Sequence, residues 1–400
     1  MAYSVSRVVR LFNSVALGSG AVLLAFSGTA RASSPDIPRL QADAERGSSK
    51  QQIELAAAYL AGRGVPQDEK RAAYWYEKAA NAGDPVAQNQ IGYFYQAGIG
   101  VNPDSAQAVR WFQRAAAGGL ISAKVNLGIA YLFGTGVKKD PSLAQDFFRQ
   151  AYAQHSGMAA FYLGQIYMNG LGVQRDEVAG ERWFEAGVRL HDAPAEFQLA
   201  NLLWHRQKDS GEVKRAVKLL HEAAAGGMVA AKHQLGIVLA KRPDLAASPR
   251  EAPALLNEAS EAGEWRSSVA LGMMSRDGIN GVLLDPKAAY FHYRVAVLQG
   301  GDEAVKVVGK DLDAISGRLG PQQTAALDAD ARTWFDDHHV TLQFVNKDGA
   351  KGKDSALYAM PTPPRGIYAG ASSPINRPTA MGFDLTSGYM ERSRGRQMAR

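Results

Sequence analysis

A 36-residue repeat dominates the first half of this chain of 400 residues. Four copies can be laid over one another without gaps, and each holds a tyrosine, a Gly-x-Gly-Val turn, an aspartate and a large aromatic in fixed order. The tyrosines are Tyr59, Tyr95, Tyr131 and Tyr167, and the aspartates are Asp68, Asp104, Asp140 and Asp176. Self-similarity at a period of about 20 to 50 residues is typical of solenoids, in which stacked units share one continuous core. The sequence therefore predicts a repeat solenoid.

Each copy is predicted to form two helices. In the first helix, Ala87, Ile91 and Tyr95 lie four residues apart, as the buried face of a helix requires. The Gly-x-Gly turn ends this helix, because glycine readily takes the left-handed cap, and the aspartate begins the second helix as its N-cap. Glycine also recurs inside the first helix, at Gly92, Gly128 and Gly164. Since glycine there costs about 1 kcal/mol relative to alanine, this register indicates two backbones that approach too closely for a side chain.

The same phase continues with weaker matches to residue 301. Copy five has Arg206 and Lys208 in place of the turn glycines, and copy seven recovers the pattern with one extra residue in its turn. The sequence therefore predicts an all-α solenoid of about seven two-helix repeats. The predicted organisation is a signal peptide over 1–32, a linker over 33–49, the solenoid over 50–301, capping helices over 302–338 and a flexible basic tail over 339–400.

The first 32 residues have the pattern of a secretory signal peptide. Arg7 and Arg10 precede an apolar run, and Ala30-Arg31-Ala32 has the form of a cleavage site. The alternative is a membrane anchor, but a span needs about 20 apolar residues, and this run is shorter and interrupted by polar residues. We therefore predict cleavage after Ala32, a periplasmic or secreted mature chain, and no stable membrane insertion after cleavage.

The net charge of +6 is concentrated at the two ends of the chain. The signal segment contains three arginines and no acid, and from Val340 onward nine basic residues accompany four acidic ones, so the body between them is close to neutral. A near-neutral body argues against nucleic-acid binding, which needs clustered positive charge. The basic tail could contact an anionic polymer or a membrane surface, or serve only as a tether.

No pattern in the sequence predicts catalysis, a metal or a cofactor. The eight histidines form no H-E-x-x-H pattern, and the neighbouring His338 and His339 are interpreted as solvated. The Gly-x-Gly turns follow helices and not strands, which argues against a dinucleotide site. With no cysteine in the chain, disulfides and thiolate metal sites are excluded. We predict that the protein is not an enzyme.

The repeat resembles the Sel1-like repeat, a relative of the tetratricopeptide repeat. Copy two carries the resemblance almost completely, in Ala87, Ile91-Gly92, Tyr95, Gly98, Gly100-Val101, Asp104, Ala108, Trp111-Phe112, Ala115-Ala116 and Gly119. The resemblance implies a right-handed α-solenoid that acts as a protein–protein adaptor. For a bacterial cell-envelope member it implies a non-enzymatic scaffold for envelope proteins, with exopolysaccharide secretion as one role. The alternative is a periplasmic regulator that restrains a sensor kinase or a cell-wall enzyme.

One face of the first helices is the candidate surface for a protein partner. Opposite the buried stripe, this face mixes amide and aromatic side chains with almost no charge, which suits recognition of an extended peptide or a helix. Three aromatics, Tyr93, Phe133 and Tyr162, are expected to be exposed on it. The alternative is an ordinary solvent face. The candidate residues are Gln90, Tyr93, Asn126, Ile129, Phe133, Tyr162, Gln165, Asn201 and His205.

Overall fold

The structure is a computed structural model that describes residues 36–338. These residues form seventeen α-helices and one 3-10 turn, Pro243–Leu245, and contain no β-strand. The all-α class is thereby confirmed, whereas the predicted signal peptide and basic tail lie outside the described residues. In chain order, α1 to α17 are Ile37–Glu45, Ser49–Ala61, Glu69–Asn81, Pro85–Ala97, Ser105–Ala117, Ile121–Phe133, Pro141–Tyr152, Gly157–Asn169, Glu177–Val188, Ala193–Arg206, Ser210–Ala225, Val229–Lys241, Glu251–Glu261, Trp265–Asp277, Pro286–Gly300, Asp302–Leu319 and Pro321–His338.

Helices α2 to α15 form seven successive pairs, as the repeat predicts. The two helices of each pair pack along each other, and the second then packs against the first helix of the next pair. Successive first helices also contact each other, as α8 does with α10 and α12 with α14. Each pair therefore covers apolar surface of its neighbour, which is the arrangement of a solenoid core.

The loop inside each regular copy is closed by the recurring tyrosine and aspartate. The N–H of Asp104 donates to the carbonyl oxygen of Tyr95 at 2.8 Å, and the other three copies repeat this bond at 2.8 to 2.9 Å. Gly98 ends the first helix with φ of 72°, in the left-handed region. The Asp104 carboxylate then accepts from the N–H of Gln107 at 2.8 Å and begins the second helix as its N-cap. Both predicted caps are present.

The glycines inside the first helices make room first for an aromatic ring and only second for the backbone that was predicted, since a Cβ on Gly92 would also lie 3.2 Å from the Ala108 carbonyl oxygen. A Cβ on Gly92 would lie 2.7 Å from the ring of Phe112, and one on Gly128 would lie 2.5 Å from the ring of Phe148. The ring comes from the second helix of the same copy. The glycine therefore allows the two helices of a pair to pack around a buried phenylalanine.

The segment predicted as a linker over 33–49 contains α1, so this prediction is wrong. Leu40 and Ala44 on α1 are buried in the core of copy one. Ala44 lies 36 residues before Ala80, and both carbonyls accept a hydrogen bond from a glutamine of the following first helix, Gln52 at 2.9 Å and Gln88 at 3.1 Å. Helix α1 is therefore the second helix of an incomplete repeat that precedes copy one.

The two C-terminal helices do not form another regular pair. Helix α16 packs against α15 and contacts α14, as a further first helix would, whereas α17 packs mainly against α15. The ring of Phe291 on α15 meets Trp334 on α17, with centroids 6.5 Å apart. The ring of His338 stacks on Trp334 with centroids 4.1 Å apart, so the prediction that His338 is solvated is wrong.

Candidate protein-binding surface

The predicted partner-binding residues occupy three recurring positions of the first helices. Gln90, Asn126 and Tyr162 are equivalent, and so are Tyr93, Ile129, Gln165 and Asn201, while Phe133 and His205 share the third position. Because successive first helices lie side by side, equivalent positions form rows across the copies. We refer to these nine residues as the first-helix surface.

Part of the first-helix surface is buried where neighbouring first helices meet. Asn126 Nδ2 donates to Oδ1 of Asn89 at 2.8 Å and so joins α6 to α4. Ile129 is only 5% exposed and Asn201 only 2%. Neither side-chain polar atom of Asn201 has a hydrogen-bond partner among the described residues. Ile129 and Asn201 therefore belong to the joints between copies, and a partner cannot reach them.

Tyr162 is buried as well, so its predicted role as an exposed aromatic is wrong. Only 7% of it is exposed. Its ring stacks on Phe148 of the preceding second helix, with centroids 5.0 Å apart and an angle of 8° between the planes. A large ring at this position turns into the gap between copies because burial of its apolar area is favourable.

Six residues stay within reach of a partner, and one of them, Asn126, is half-buried and already bonded to Asn89. Tyr93 is half-buried, and this burial raises the pKa of its phenol. Phe133 is half-exposed as the last residue of α6, and Gln90 is half-buried. The side chain of Gln165 is held by Asn169, whose Nδ2 donates to Gln165 Oε1 at 2.9 Å. His205 is exposed near the end of α10.

Two strongly shifted titratable groups, His292 and Asp192, are not members of the first-helix surface. Burial lowers the pKa of His292 on α15 to about 4. Burial, together with the neighbouring Glu196 carboxylate, raises the pKa of Asp192 to about 7, against the lowering effect of the hydrogen bond from the Ala195 N–H. Over residues 36–338, no group of three or more histidines and acids could hold a metal ion. In the same range no helix has the length and apolar character needed to span a bilayer.

These paired helices, with their glycine-capped loops, define a helical-repeat protein of the solenoid class. The sequence model of the Sel1 repeat matches more than half of the chain, and the chain belongs to the Sel1 repeat family. The matches cover residues 52–84, 85–120, 121–156, 157–192, 193–228 and 266–301. Copy six is outside these matches, although α12 and α13 pair as the other copies do. Sel1 repeats form a non-catalytic scaffold fold and generally mediate protein–protein interaction.

A solved structure supports the same fold. A Sel1 repeat protein from Oxalobacter formigenes is 26% identical to this chain, and the alignment covers 62% of this chain and 98% of that one with a TM-score of 0.53. A protective antigen of uropathogenic Escherichia coli that displays an SLR fold is 24% identical, with 76% of this chain and 72% of that one covered and a TM-score of 0.39. Among curated proteins, none matches the chain.

Proposed function

We propose that this protein is a non-enzymatic scaffold of the bacterial envelope that binds a protein partner along its first-helix surface. The observation that carries the proposal is the position of Tyr93 and Phe133, two half-exposed aromatic rings on first helices, α4 and α6, that are joined through the Asn89–Asn126 hydrogen bond. Aromatic side chains beside neutral amides are typical of adaptable binding surfaces, because the rings supply buried area and the amides pair with backbone groups.

The envelope location rests on the signal-like pattern over residues 1–32 and is part of the proposal. It is tested by fractionation of the native host and by N-terminal sequencing of the mature protein. A periplasmic or secreted chain that begins at Ser33 is expected. A chain that stays in the cytoplasm with an intact N-terminus would contradict the location while leaving the binding surface untouched.

Binding is tested by placing a photo-crosslinking amino acid at Tyr93 or Phe133 in the native host. Tyr74 is the matched control, because it is an exposed tyrosine on a second helix, α3. We expect Tyr93 and Phe133 to crosslink the same protein and Tyr74 not to do so. Components of an exopolysaccharide export assembly are the first candidates, since the Sel1 resemblance suggests that role, and a sensor kinase or cell-wall enzyme would indicate a regulator instead.

The identified partner then allows a direct affinity measurement. Tyr93→Ala with Phe133→Ala is expected to weaken binding at least about tenfold, because central aromatic residues carry a large share of interface free energy. Tyr74→Ala is expected to leave the affinity unchanged. An unchanged affinity in the double variant would overturn the proposed surface.

A further inference from the structure

A cavity of about 410 Å³ opens between α11 and the 3-10 turn of copy six. Its walls are formed by Lys214, Val217, Lys218, His221, Asp244 and Leu245. Its volume lies in the range of ligand pockets, about 300 to 1,000 Å³. It belongs to a second helix and a loop, so it is separate from the first-helix surface.

The cavity exists because copy six lacks a loop glycine. In regular copies the second glycine of the turn lies against the first turn of the preceding second helix: a Cβ on Gly100 would be 2.1 Å from the carbonyl oxygen of Glu69, and one on Gly136 would be 2.1 Å from that of Ser105. Four periods after Gly100, this position holds Asp244. An aspartate cannot approach so closely, so the chain forms the turn Pro243–Leu245 and leaves space beside α11.

The walls of the cavity combine apolar carbon with basic groups. Val217 is buried and Leu245 is half-buried, and the aliphatic stems of Lys214 and Lys218 extend this apolar surface. The Lys214 ammonium has no carboxylate partner among the described residues. Lys218 pairs with Glu222 at 3.6 Å, but its side chain is 76% exposed, so the pair is weak and can exchange for another carboxylate.

The acidic groups around the cavity are already paired. Arg242 donates to the two carboxylate oxygens of Asp244 at 2.9 and 2.7 Å. His221 Nε2 lies 3.4 Å from Oε1 of Glu251. The cavity therefore offers an apolar floor with two lysine ammonium groups available for negative charge.

We propose that this cavity binds an acidic peptide segment of a protein partner. One apolar side chain of the segment occupies the space between Val217 and Leu245, and its flanking carboxylates meet Lys214 and Lys218. A peptide fits better than an anionic polysaccharide, because a polysaccharide would contact the lysines without filling the apolar floor. The site does not depend on the first-helix surface, so either proposal can fail alone.

The probe is a fluorescein-labelled peptide with leucine between two pairs of glutamates, titrated with the purified full-length protein by fluorescence anisotropy. We expect saturable binding that weakens in 500 mM NaCl, because salt screens charge interactions. Two further peptides replace leucine by glycine or the glutamates by glutamine, and both are expected to bind at least about tenfold more weakly. If the glycine peptide bound equally well, binding would depend on charge alone and not on the apolar side chain, and the proposal would be overturned.

Variants locate the site on the protein. Lys214→Glu with Lys218→Glu is expected to weaken peptide binding at least about tenfold, and Leu245→Asp provides an independent variant on the opposite wall. The matched control is Lys50→Glu with Lys70→Glu, because Lys70 occupies the register of Lys214 in copy one, where Gly100 fills the space. Circular dichroism checks that each variant folds. Failure of the peptide to bind, an equal loss in the control, or binding of a polyuronate in preference to the peptide would each overturn the proposal.

Discussion

Copies one to four and copies five and six keep the same 36-residue period but close their loops by different means. In the first group, a glycine in the left-handed region ends each first helix, and in copies two to four a second glycine touches the preceding copy. In copy five, α10 extends to Arg206 and ends at Gln207, whose φ is 40°. Arg206 then donates to Glu181 at 3.0 and 3.1 Å and to Glu212 at 2.9 Å. Copy six uses the 3-10 turn.

This difference shows which features of the repeat are required for stacking and which are local. In copy six a side chain of the second helix still packs on the first-helix glycine, but it is a leucine and not a ring: a Cβ on Gly236 would lie 2.7 Å from Leu256. The glycine loop is absent from copies five and six. Copy five has the ion pairs of Arg206 in its place, and copy six has a 3-10 turn that leaves space beside α11. The packing between helices therefore sets the period, whereas the loop can vary and create a surface such as the basic cavity.

The largest effect is expected from Gly136→Ala in the loop of copy three. Alanine in the left-handed region costs about 1 to 2 kcal/mol, and the new Cβ would lie 2.1 Å from the carbonyl oxygen of Ser105. We expect a loss of about 3 kcal/mol or more in the free energy of unfolding. Thermal and urea unfolding, followed by circular dichroism, would measure it.

Gly119→Ala is the matched control for this substitution. Gly119 has a φ of 88°, but a Cβ there has no atom within 4 Å, so only the backbone penalty of about 1 kcal/mol is expected. Equal losses in the two variants would show that the loops do not touch the preceding copy closely. The distinction between regular and degenerate copies would then lose its physical basis.

A smaller loss, about 2 kcal/mol, is expected from Gly128→Ala, because the added Cβ meets the Phe148 ring at 2.5 Å and overpacks the core. In a Phe148→Ala background, Gly128→Ala should instead raise the free energy of unfolding. Without the ring there is space, and alanine is favoured over glycine in a helix by about 1 kcal/mol. A double-mutant cycle of unfolding free energies would measure this coupling. If the effects of the two substitutions were additive, the Phe148 ring would not be the reason that position 128 holds glycine.

Much of this fold could be predicted from sequence because the residues that each turn, cap and helix contact requires recur in several copies. Glycine before the loop, aspartate after it and a ring opposite the helix glycine each recur in phase. Helix α1 was not predicted because half a repeat contains few of the recurring residues. Only Ala44, Gly47 and Ser48 lie one period before their equivalents, which are Ala80, Gly83 and Asp84. A single half copy cannot be told from a linker by periodicity.

The candidate surface was predicted less well, for a geometric reason. A helical wheel separates the buried stripe from the opposite face, but it does not show which part of that face the next first helix covers. Tyr162 and Asn201 lie in the covered part, whereas Tyr93 and Phe133 do not. The basic cavity could not be anticipated from the net charge of the body. Its sequence signal is Asp244 in the register of a loop glycine, which becomes meaningful only once that glycine is seen against the preceding helix.

At the junction of copies four and five we expect a pH effect that the regular copies need not share. Asp192 caps α10, and its pKa is about 7 in the folded chain against 3.8 for a free aspartate. Because the folded state holds the proton more tightly, this group stabilises the fold below about pH 4, and the contribution is lost as the pH rises through 7. Between pH 5 and 8, Asp192 is expected to lower the free energy of unfolding of the wild type by about 1 to 2 kcal/mol, less than the full shift implies because the carboxylate is only partly buried. Asp192→Asn, which keeps a capping side chain, should not show this loss. Unfolding midpoints across that range measure it.

Glu196→Gln supplies the control for the pH experiment. Removing the neighbouring carboxylate takes away one of the causes of the raised pKa of Asp192, so the slope should shrink without disappearing. A slope that is identical in the wild type and in Asp192→Asn would assign the pH dependence to other groups. The junction would then differ from the regular copies only in its loop.

The smallest effect is expected from Arg206→Met, which removes the ion pairs that replace glycine in copy five. Arg206 is 46% exposed, so water and salt screen its pairs with Glu181 and Glu212. We expect a slight fall in the unfolding midpoint at low salt that disappears in 1 M NaCl, because the Debye length there is only about 3 Å. Arg182→Met, an exposed arginine on α9, should show neither change. If the loss persists in high salt, the Arg206 stem closes the loop by packing, and copy five resembles the regular copies more than its charges suggest.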